Sequence, residues 1–389
     1  MAFGTGISYR VTTSARDGVM RGTETGQAVL FSYVALEERI PPDHPLRPLK
    51  ALVEPILAEL SPRFAALYEA EGRPSIPPEQ LLRALLLQVL YTIRSERQLI
   101  EDLKYNLLYR WFVGLGLDAP VWHATTFTKN RDRLLAGDIA EAFLQGVLQQ
   151  AASRRLLSHE HFTVDGTLLE AWASHKSFRP KQGPTPDGAD GGSRNASVNF
   201  RGERRSNATH ASTTDPDARL AKKGRGKESK LAYQGSVVID NRHGLVVRTR
   251  VGPADGGPTE VDQAAEMLTD LASARPTRRY RGTIGGDKGY AQPSFVEAAR
   301  GLGYTPHPAQ DAFDRRPVLD GRTTRHPGYA VSQQRRKVVE ETFGWGKVIG
   351  PLHKLKHRGT ATVDWIFTFT MAIYNLVRIR TLIRVGVCT

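Results

Sequence analysis

His161-Phe162-Thr163-Val164-Asp165-Gly166 alternates in polarity and closes on an acid followed by glycine. A period of two is the mark of a half-buried strand, so the alternation predicts a short strand ending at Asp165. Thr283-Ile284-Gly285-Gly286-Asp287 has the same form, with glycine two places later in Asp287-Lys288-Gly289. Between them, Tyr233–Asp240 and Leu245–Val251 flank Asn241-Arg242-His243-Gly244, a strong hairpin signal. Helical spacing follows over Glu260–Ala274, where Val261, Ala264, Ala265, Leu268 and Leu271 recur. A helix from Pro293 to Leu302, closed by Gly303, leads into a short strand near Tyr304, and a last helix runs from Asp364 to about Arg384. From Phe162 the order is therefore strand, strand, strand, helix, strand, helix, strand, helix. That is an α/β region built on a mixed sheet, and ligands gather at the carboxyl ends of strands in such sheets.

A third acid lies in a basic helical segment, Arg335-Arg336-Lys337-Val338-Val339-Glu340-Glu341-Thr342-Phe343-Gly344-Trp345-Gly346-Lys347. Residues three or four apart share a helix face. Arg336, Glu340, Gly344 and Lys347 form one stripe, and Val339, Phe343 and Gly346 form an apolar one. Glu341 falls about 100° away around the axis, so Glu340 is the better candidate ligand. Each acid alone has an ordinary explanation. An Asp at a strand end is often a turn or cap residue, and a Glu among cations is often a solvated ion pair. Their conjunction carries more. Carboxylates that converge repel one another unless cations hold them, and hard oxygen donors suit Mg²⁺ or Mn²⁺. Two such ions about 3.5–4 Å apart can activate an attacking oxygen and stabilise the leaving oxygen of a phosphodiester.

The rest of the chain fits a polyanionic partner. It has 389 residues, a formal net charge of +14 and 40% apolar residues, enough for a large core in two or three domains. The cations cluster: residues 201–230 hold nine Lys/Arg against four Asp/Glu, and 335–358 hold seven against two. Such a balance points to nucleic acid or another anionic surface. The single cysteine, Cys388, excludes an intrachain disulfide. The longest apolar run, Ala84–Ile93, is interrupted by Gln88 and is too short to span a bilayer. The first 25 residues lack the apolar core of a signal peptide. A cytoplasmic, nucleoid-associated protein with no membrane partner is the expectation.

Residues 1 to about 30 read as loosely ordered, and 31–150 as a helical domain. Leu49, Leu52, Val53, Ile56, Leu57 and Leu60 mark its first long helix, with a kink or break expected at Pro55. Pro77-Pro78 open the next. Ser95–Leu108 reads as a further helix, begun by a capping-box pattern. Thr125–Leu134 offers a threonine cap and then a basic helix bearing Lys129, Arg131 and Arg133. That suits a recognition helix in a major groove and equally an amphipathic helix with a solvated face. The catalytic region, 155–389, is interrupted at about 174–230 by a polar basic insertion with few apolar residues, including Lys222, Lys223, Arg225 and Lys227. DNA contact and a solvated linker both fit such a stretch.

Together these segments resemble the bacterial insertion-sequence transposases of the DDE class, in the group whose last carboxylate lies in a Tyr-x2-Arg-x3-Glu-x6-Lys signature. Arg336, Glu340 and Lys347 match that spacing, with Gln333 at the tyrosine position. Val164-Asp165-Gly166-Thr167 and Gly286-Asp287-Lys288-Gly289-Tyr290 are similar to the segments around the first and second aspartates. Ser212–Leu220, followed by a Lys/Gly-rich run, is similar to the group's inter-motif segment. The resemblance implies an RNase H-like catalytic domain behind an all-α DNA-binding domain. It implies that Asp165, Asp287 and Glu340 hold two Mg²⁺ ions, with Mn²⁺ an alternative. Lys288, Arg336 and Lys347 become candidate phosphate contacts. The implied activity is cleavage of double-stranded DNA at the element's terminal inverted repeats and strand transfer to target DNA, by a homo-oligomer formed on DNA. The rival readings are a catalytically idle relic that still binds DNA and, disfavoured by the basic clusters and 8% aromatic content, a glycosidase using two of the carboxylates.

Overall fold

The computed structural model describes residues 35–68, 75–158, 160–181, 205–224, 226–255, 258–274, 282–310 and 318–387. The expected loose N-terminus, residues 1–30, lies outside the described residues, as do much of the insertion and Arg225.

Among the described residues seven helices come first: α1 (Leu36–Arg39), α2 (Leu46–Ala65), α3 (Pro78–Leu90), α4 (Glu96–Tyr105), α5 (Leu107–Val113), α6 (Ala124–Leu135) and α7 (Ile139–Ser153). Of the kink or break expected at Pro55, the break does not occur: α2 runs continuously past it. Pro55 and Ala51, whose carbonyl loses its donor, both lie on the exposed face, where water can take the lost bond. The opposite stripe of Leu49, Leu52, Val53, Ile56, Leu57 and Leu60 is buried and holds the helix in place. The helix expected over Ser95–Leu108 is two. Ser95 Oγ accepts from Gln98 N at 3.2 Å as foreseen, but Asn106 leaves the helical conformation and caps α5 by accepting from Tyr109 N.

Among the described residues eight strands and six α-helices follow: β1 (His161–Glu170), β2 (Phe178–Pro180), β3 (His210–Ser212), β4 (Arg219–Lys222), β5 (Ser229–Asp240), β6 (Leu245–Pro253), α8 (Pro258–Ser273), β7 (Gly282–Gly286), α9 (Pro293–Gly301), β8 (Tyr304–Pro308), α10 (Gly321–Arg325), α11 (Pro327–Arg335), α12 (Val338–Val348) and α13 (Thr360–Arg384). The main sheet runs β6-β5-β1-β7-β8. β5 is antiparallel to both β6 and β1, whereas β7 is parallel to β1 and β8 to β7. This order and these directions are those of an RNase H-like domain. β4 pairs with the first residues of β5 on the edge that β6 occupies further along.

The 25-residue α13 joins the two parts. It packs on β6 and on α7 and α2 of the helical domain, and Phe369 meets Phe143 of α7 at 5.5 Å between ring centres. It is long and apolar enough to cross a membrane, yet most of it is buried as a core helix. Buried Asn375 donates to Val246 O at 2.7 Å and accepts from Val246 N at 2.8 Å, while Asp364 accepts from Val251 N at 2.7 Å. The helix thereby satisfies outward backbone groups of Val246 and Val251 on the edge of β6, an edge that would otherwise invite another strand.

The described ends of the insertion are ordered, against the expectation of a stretch without core. Asp215 is fully buried and accepts from Tyr233 Oη at 2.6 Å and from Gly359 N at 3.2 Å. Asp217 accepts from Thr360 N at 2.9 Å. Two aspartates from the insertion thus hold the start of α13, and they work as caps supplied from across the chain.

Candidate active site

The cleft originates where β1 and β7 part. Their parallel pairing covers only His161–Thr163 against Thr283–Gly285. Asp165 and Asp287 each lie two residues past the last pair, Thr163 and Gly285, which puts both on the same face of the sheet. Contrary to the strand end that the alternation predicts, Asp165 does not close its strand. It sits mid-strand, because β1 continues along β5 as far as Glu170. Asp287 does follow the end of its strand. It caps a single 3-10 turn, Lys288–Tyr290, and its Oδ1 accepts from Gly289 N at 2.7 Å. The glycines of this motif make room: a Cβ on Gly286 would lie 2.9 Å from the Tyr290 ring.

Glu340 arrives on α12. The helix begins at Val338 rather than at Arg335, and Arg336 stands in the short turn that joins α11 to α12. Val339, Thr342, Phe343 and Gly346 are buried. A Cβ on Gly346 would meet Leu352 at 2.9 Å and Met371 at 3.0 Å, so this face is pressed onto its neighbours. Glu341 pairs with Arg378 of α13 at 3.7 Å, away from the cleft. Glu340 lines the cleft and Glu341 does not.

Asp165, Asp287 and Glu340 share one cavity of about 810 Å³ with Gly166, Thr167, Lys222, Lys223, Glu260, Gly344 and Lys347. Burial is the main cause that pushes the Asp165 carboxyl up to about 7; Asp287 and Glu260 add to it, and the Gly166 N–H and Arg336 oppose it. Lys347 donates to Thr167 Oγ1 at 2.6 Å, and burial beside Lys223 lowers its ammonium below the usual range. Among the described residues no three Asp, Glu, His or Cys side chains lie close enough together to hold an ion as they stand. Like charges without an intervening cation are expected to stay apart. The donor set is nevertheless all carboxylate oxygen, which fits Mg²⁺ or Mn²⁺.

Glu260 is not among the residues singled out from the sequence. Its helix is legible but its role is not, since it is one acid in the first turn of α8, where acids are common. The overlooked signal is Gly166, whose missing side chain lets Glu260 lie against β1.

The remaining candidates are spread more widely. Lys288 is exposed beside Asp287, and Lys227 is exposed beyond β4. Lys222 and Lys223 reach the cleft rim. On α6, Lys129 is exposed, and Arg133 is exposed with its guanidinium 5.4 Å from the centre of the Tyr68 ring. Arg131 departs from the expectation of a solvated basic face: it is ion-paired with Glu96 and Asp132, and its side chain is only 14% exposed. The cap of α6 is His123 rather than a threonine. Gln333, at the signature tyrosine position, donates to His307 O at 2.7 Å and ties α11 to β8. A further cavity of about 900 Å³, at the opposite ends of β1 and β7, is lined by Arg242, Arg322 and Arg335 and contains none of the three acids.

Residues 34–133 match a family described as a transposase domain, and residues 202–376 match the transposase DDE domain. Asp287, Glu340 and Glu260 fall within the second match, whereas Asp165 lies between the two. No curated protein sequence matches the chain. Among solved structures it is similar to a piggyBac transposase synaptic complex with hairpin DNA, at 10% identity over 89% of this chain and 77% of that one, with a TM-score of 0.39. It is also similar to the Mos1 mariner paired-end complex with Mn, at 13% identity over 85% of each chain and a TM-score of 0.20. The two family matches span most of the sequence between them, and the chain belongs to the insertion-sequence transposases of the DDE class.

Proposed function

We propose that this transposase binds the ends of its own element, cleaves the DNA there and joins the freed 3′-hydroxyl to a target strand. The observation that carries this reading is the meeting of Asp165, Asp287 and Glu340, from three separate stretches of chain, around one cleft with Lys222, Lys223 and Lys347 at its sides. Asp165, Asp287 and Glu340 would hold two Mg²⁺ or Mn²⁺ ions. When bound, such a pair supplies Lewis acidity toward the attacking and leaving oxygens of a phosphodiester. The chain's own residues then position the strand. Lys347 is fixed by Thr167 and presents a charge inside the cleft. Lys222 and Lys223 offer cations to phosphates on either side of the scissile one. Arg336, whose charge is felt at Asp165, offsets part of the repulsion among the acids. Exposed Lys129 and Arg133 on α6 and Lys227 and Lys288 near the cleft extend the surface available to duplex DNA, on which two or more copies of the chain would assemble.

The test is strand cleavage of DNA flanking the gene, with and without Mg²⁺. Cleavage at the element's ends that requires the ion is expected. Binding of those ends without cleavage in any divalent ion would overturn the reading in favour of an idle relic.

A further inference from the structure

We propose that Glu260 is a fourth carboxylate of the catalytic cleft, acting with Asp165 and Asp287 on the divalent ions; the inference rests on the function proposed above.

Three observations place it there. Glu260 lines the same cavity as the three acids. A Cβ built on Gly166 would lie 2.4 Å from Glu260 Oε1, so the carboxylate rests against β1 immediately beside Asp165. Its orientation is fixed from a second motif. Tyr290, three residues after Asp287 and fully buried, donates its hydroxyl to Glu260 Oε1 at 3.0 Å. Gly286 gives the Tyr290 ring its space, and the 3-10 turn that begins at Asp287 carries the ring under the cleft. One short segment therefore supplies a carboxylate and also aims another.

The alternative is that Glu260 merely fastens α8 to the turn after β7. Charge argues against it. Among the described residues Glu260 makes no ion pair, and its hydrogen-bond donor is a neutral phenol. A glutamine would accept the same bond at no electrostatic cost. Placing a further negative charge beside Asp165 and Asp287, with no side chain among the described residues ion-paired to it, is unfavourable for the fold alone. It is useful to a site that must hold two doubly charged ions, because each added anionic ligand offsets part of the charge of the pair.

The experiment is direct binding of Mn²⁺ to the full chain, followed by the electron paramagnetic resonance signal of the free ion. Wild type is compared with Glu260→Gln, which keeps the volume and the tyrosine bond, and with Tyr290→Phe, which keeps the charge and loses its anchor. Two ions are expected to bind wild type. Glu260→Gln should weaken the weaker site by at least about tenfold, and Tyr290→Phe by less, in line with the cost of altering groups that orient metal ligands. Unchanged Mn²⁺ affinity in Glu260→Gln, with wild type binding two ions, overturns this proposal alone. Wild type that binds no Mn²⁺, with or without DNA, overturns the proposed function as well. If Glu260→Gln does not fold, Glu260→Asp withdraws the carboxylate by one methylene and should also weaken binding; unchanged affinity there has the same adverse meaning.

Discussion

Two charged regions of this chain differ in what the fold does with their charge. On α6, Lys129, Arg131 and Arg133 suggest a basic face. Yet Arg131 is turned inward onto Glu96 and Asp132, and Arg133 rests on an aromatic ring. In the cleft, Asp165, Glu260, Asp287 and Glu340 gather with none of them in an ion pair among the described residues. A charge already neutralised within the molecule holds the fold together. A cluster left unneutralised implies a partner of opposite sign. The same comparison divides the insertion: Asp215 and Asp217 are bound to the start of α13, whereas Lys222 and Lys223 reach the cleft.

The largest consequence falls on the acids. Asp165→Asn, Asp287→Asn and Glu340→Gln should each lower end cleavage by at least about a thousandfold, since loss of any ligand removes several kcal/mol of charge stabilisation. Binding of end DNA, measured by mobility shift, should change little. Normal cleavage by one of the three would return that residue to the class of ordinary turn or surface acids.

Arg131 gives the converse. Arg131→Met should cost about 1–3 kcal/mol in denaturant unfolding, because Glu96 would be left half-buried without its partner. Sequence preference on DNA should stay as it is. Lys129→Ala should leave stability unchanged and weaken DNA binding. A change in base preference from Arg131→Met, without loss of stability, would make α6 a reading helix after all.

The Asp165 carboxyl, raised to about 7 chiefly by burial, carries a pH signature. In the folded protein it holds its proton over a range where the unfolded chain has already released it. Its contribution to stability is therefore complete below pH about 4 and lost as pH rises to about 7. Without divalent ions, wild type should lose Tm relative to Asp165→Asn across that window. Mg²⁺, which binds the native site, should reverse the ranking at pH 8. Parallel Tm curves for the two proteins would show that the cleft is open to solvent at Asp165.

The smallest effect is on salt dependence. On duplex DNA each phosphate contact contributes a slope of roughly −0.9 in log K against log salt. Lys222→Ala with Lys223→Ala should flatten the measured slope by up to about two contacts. An unchanged slope would place the DNA elsewhere, with the exposed cations of α6 next in line.

Much of this architecture is legible in the sequence because it depends on local periodicity. The β5–β6 hairpin, the helices opened by prolines and the buried stripe of α2 are all repeating patterns that a short window contains. What is not legible depends on contacts between distant residues. Pro55 is tolerated because tertiary burial on the far face keeps α2 continuous through it. Asp165 sits inside a strand because β5 extends the pairing, and no feature near Asp165 announces that. The acidic triad is visible through spacing, but Glu260 is not, since its place is set by a glycine 94 positions earlier and a tyrosine 30 positions later. The order in the insertion is hidden in the same way, because Asp215 finds Tyr233 and Gly359 only in the folded chain.

The most direct test of the central claim, that the unpaired acids of this cleft carry the chemistry, compares two neighbours on α12. Glu340 lines the cleft, and Glu341 points to Arg378, about 100° around the helix. Both sit in the same basic segment and carry the same charge, so Glu340→Gln and Glu341→Gln differ only in what the fold does with them. With Mg²⁺ and DNA bearing the element's end, Glu341→Gln should cleave within a fewfold of wild type, and Glu340→Gln should not cleave measurably. Equal loss in both variants, or the reverse ranking, would contradict the account.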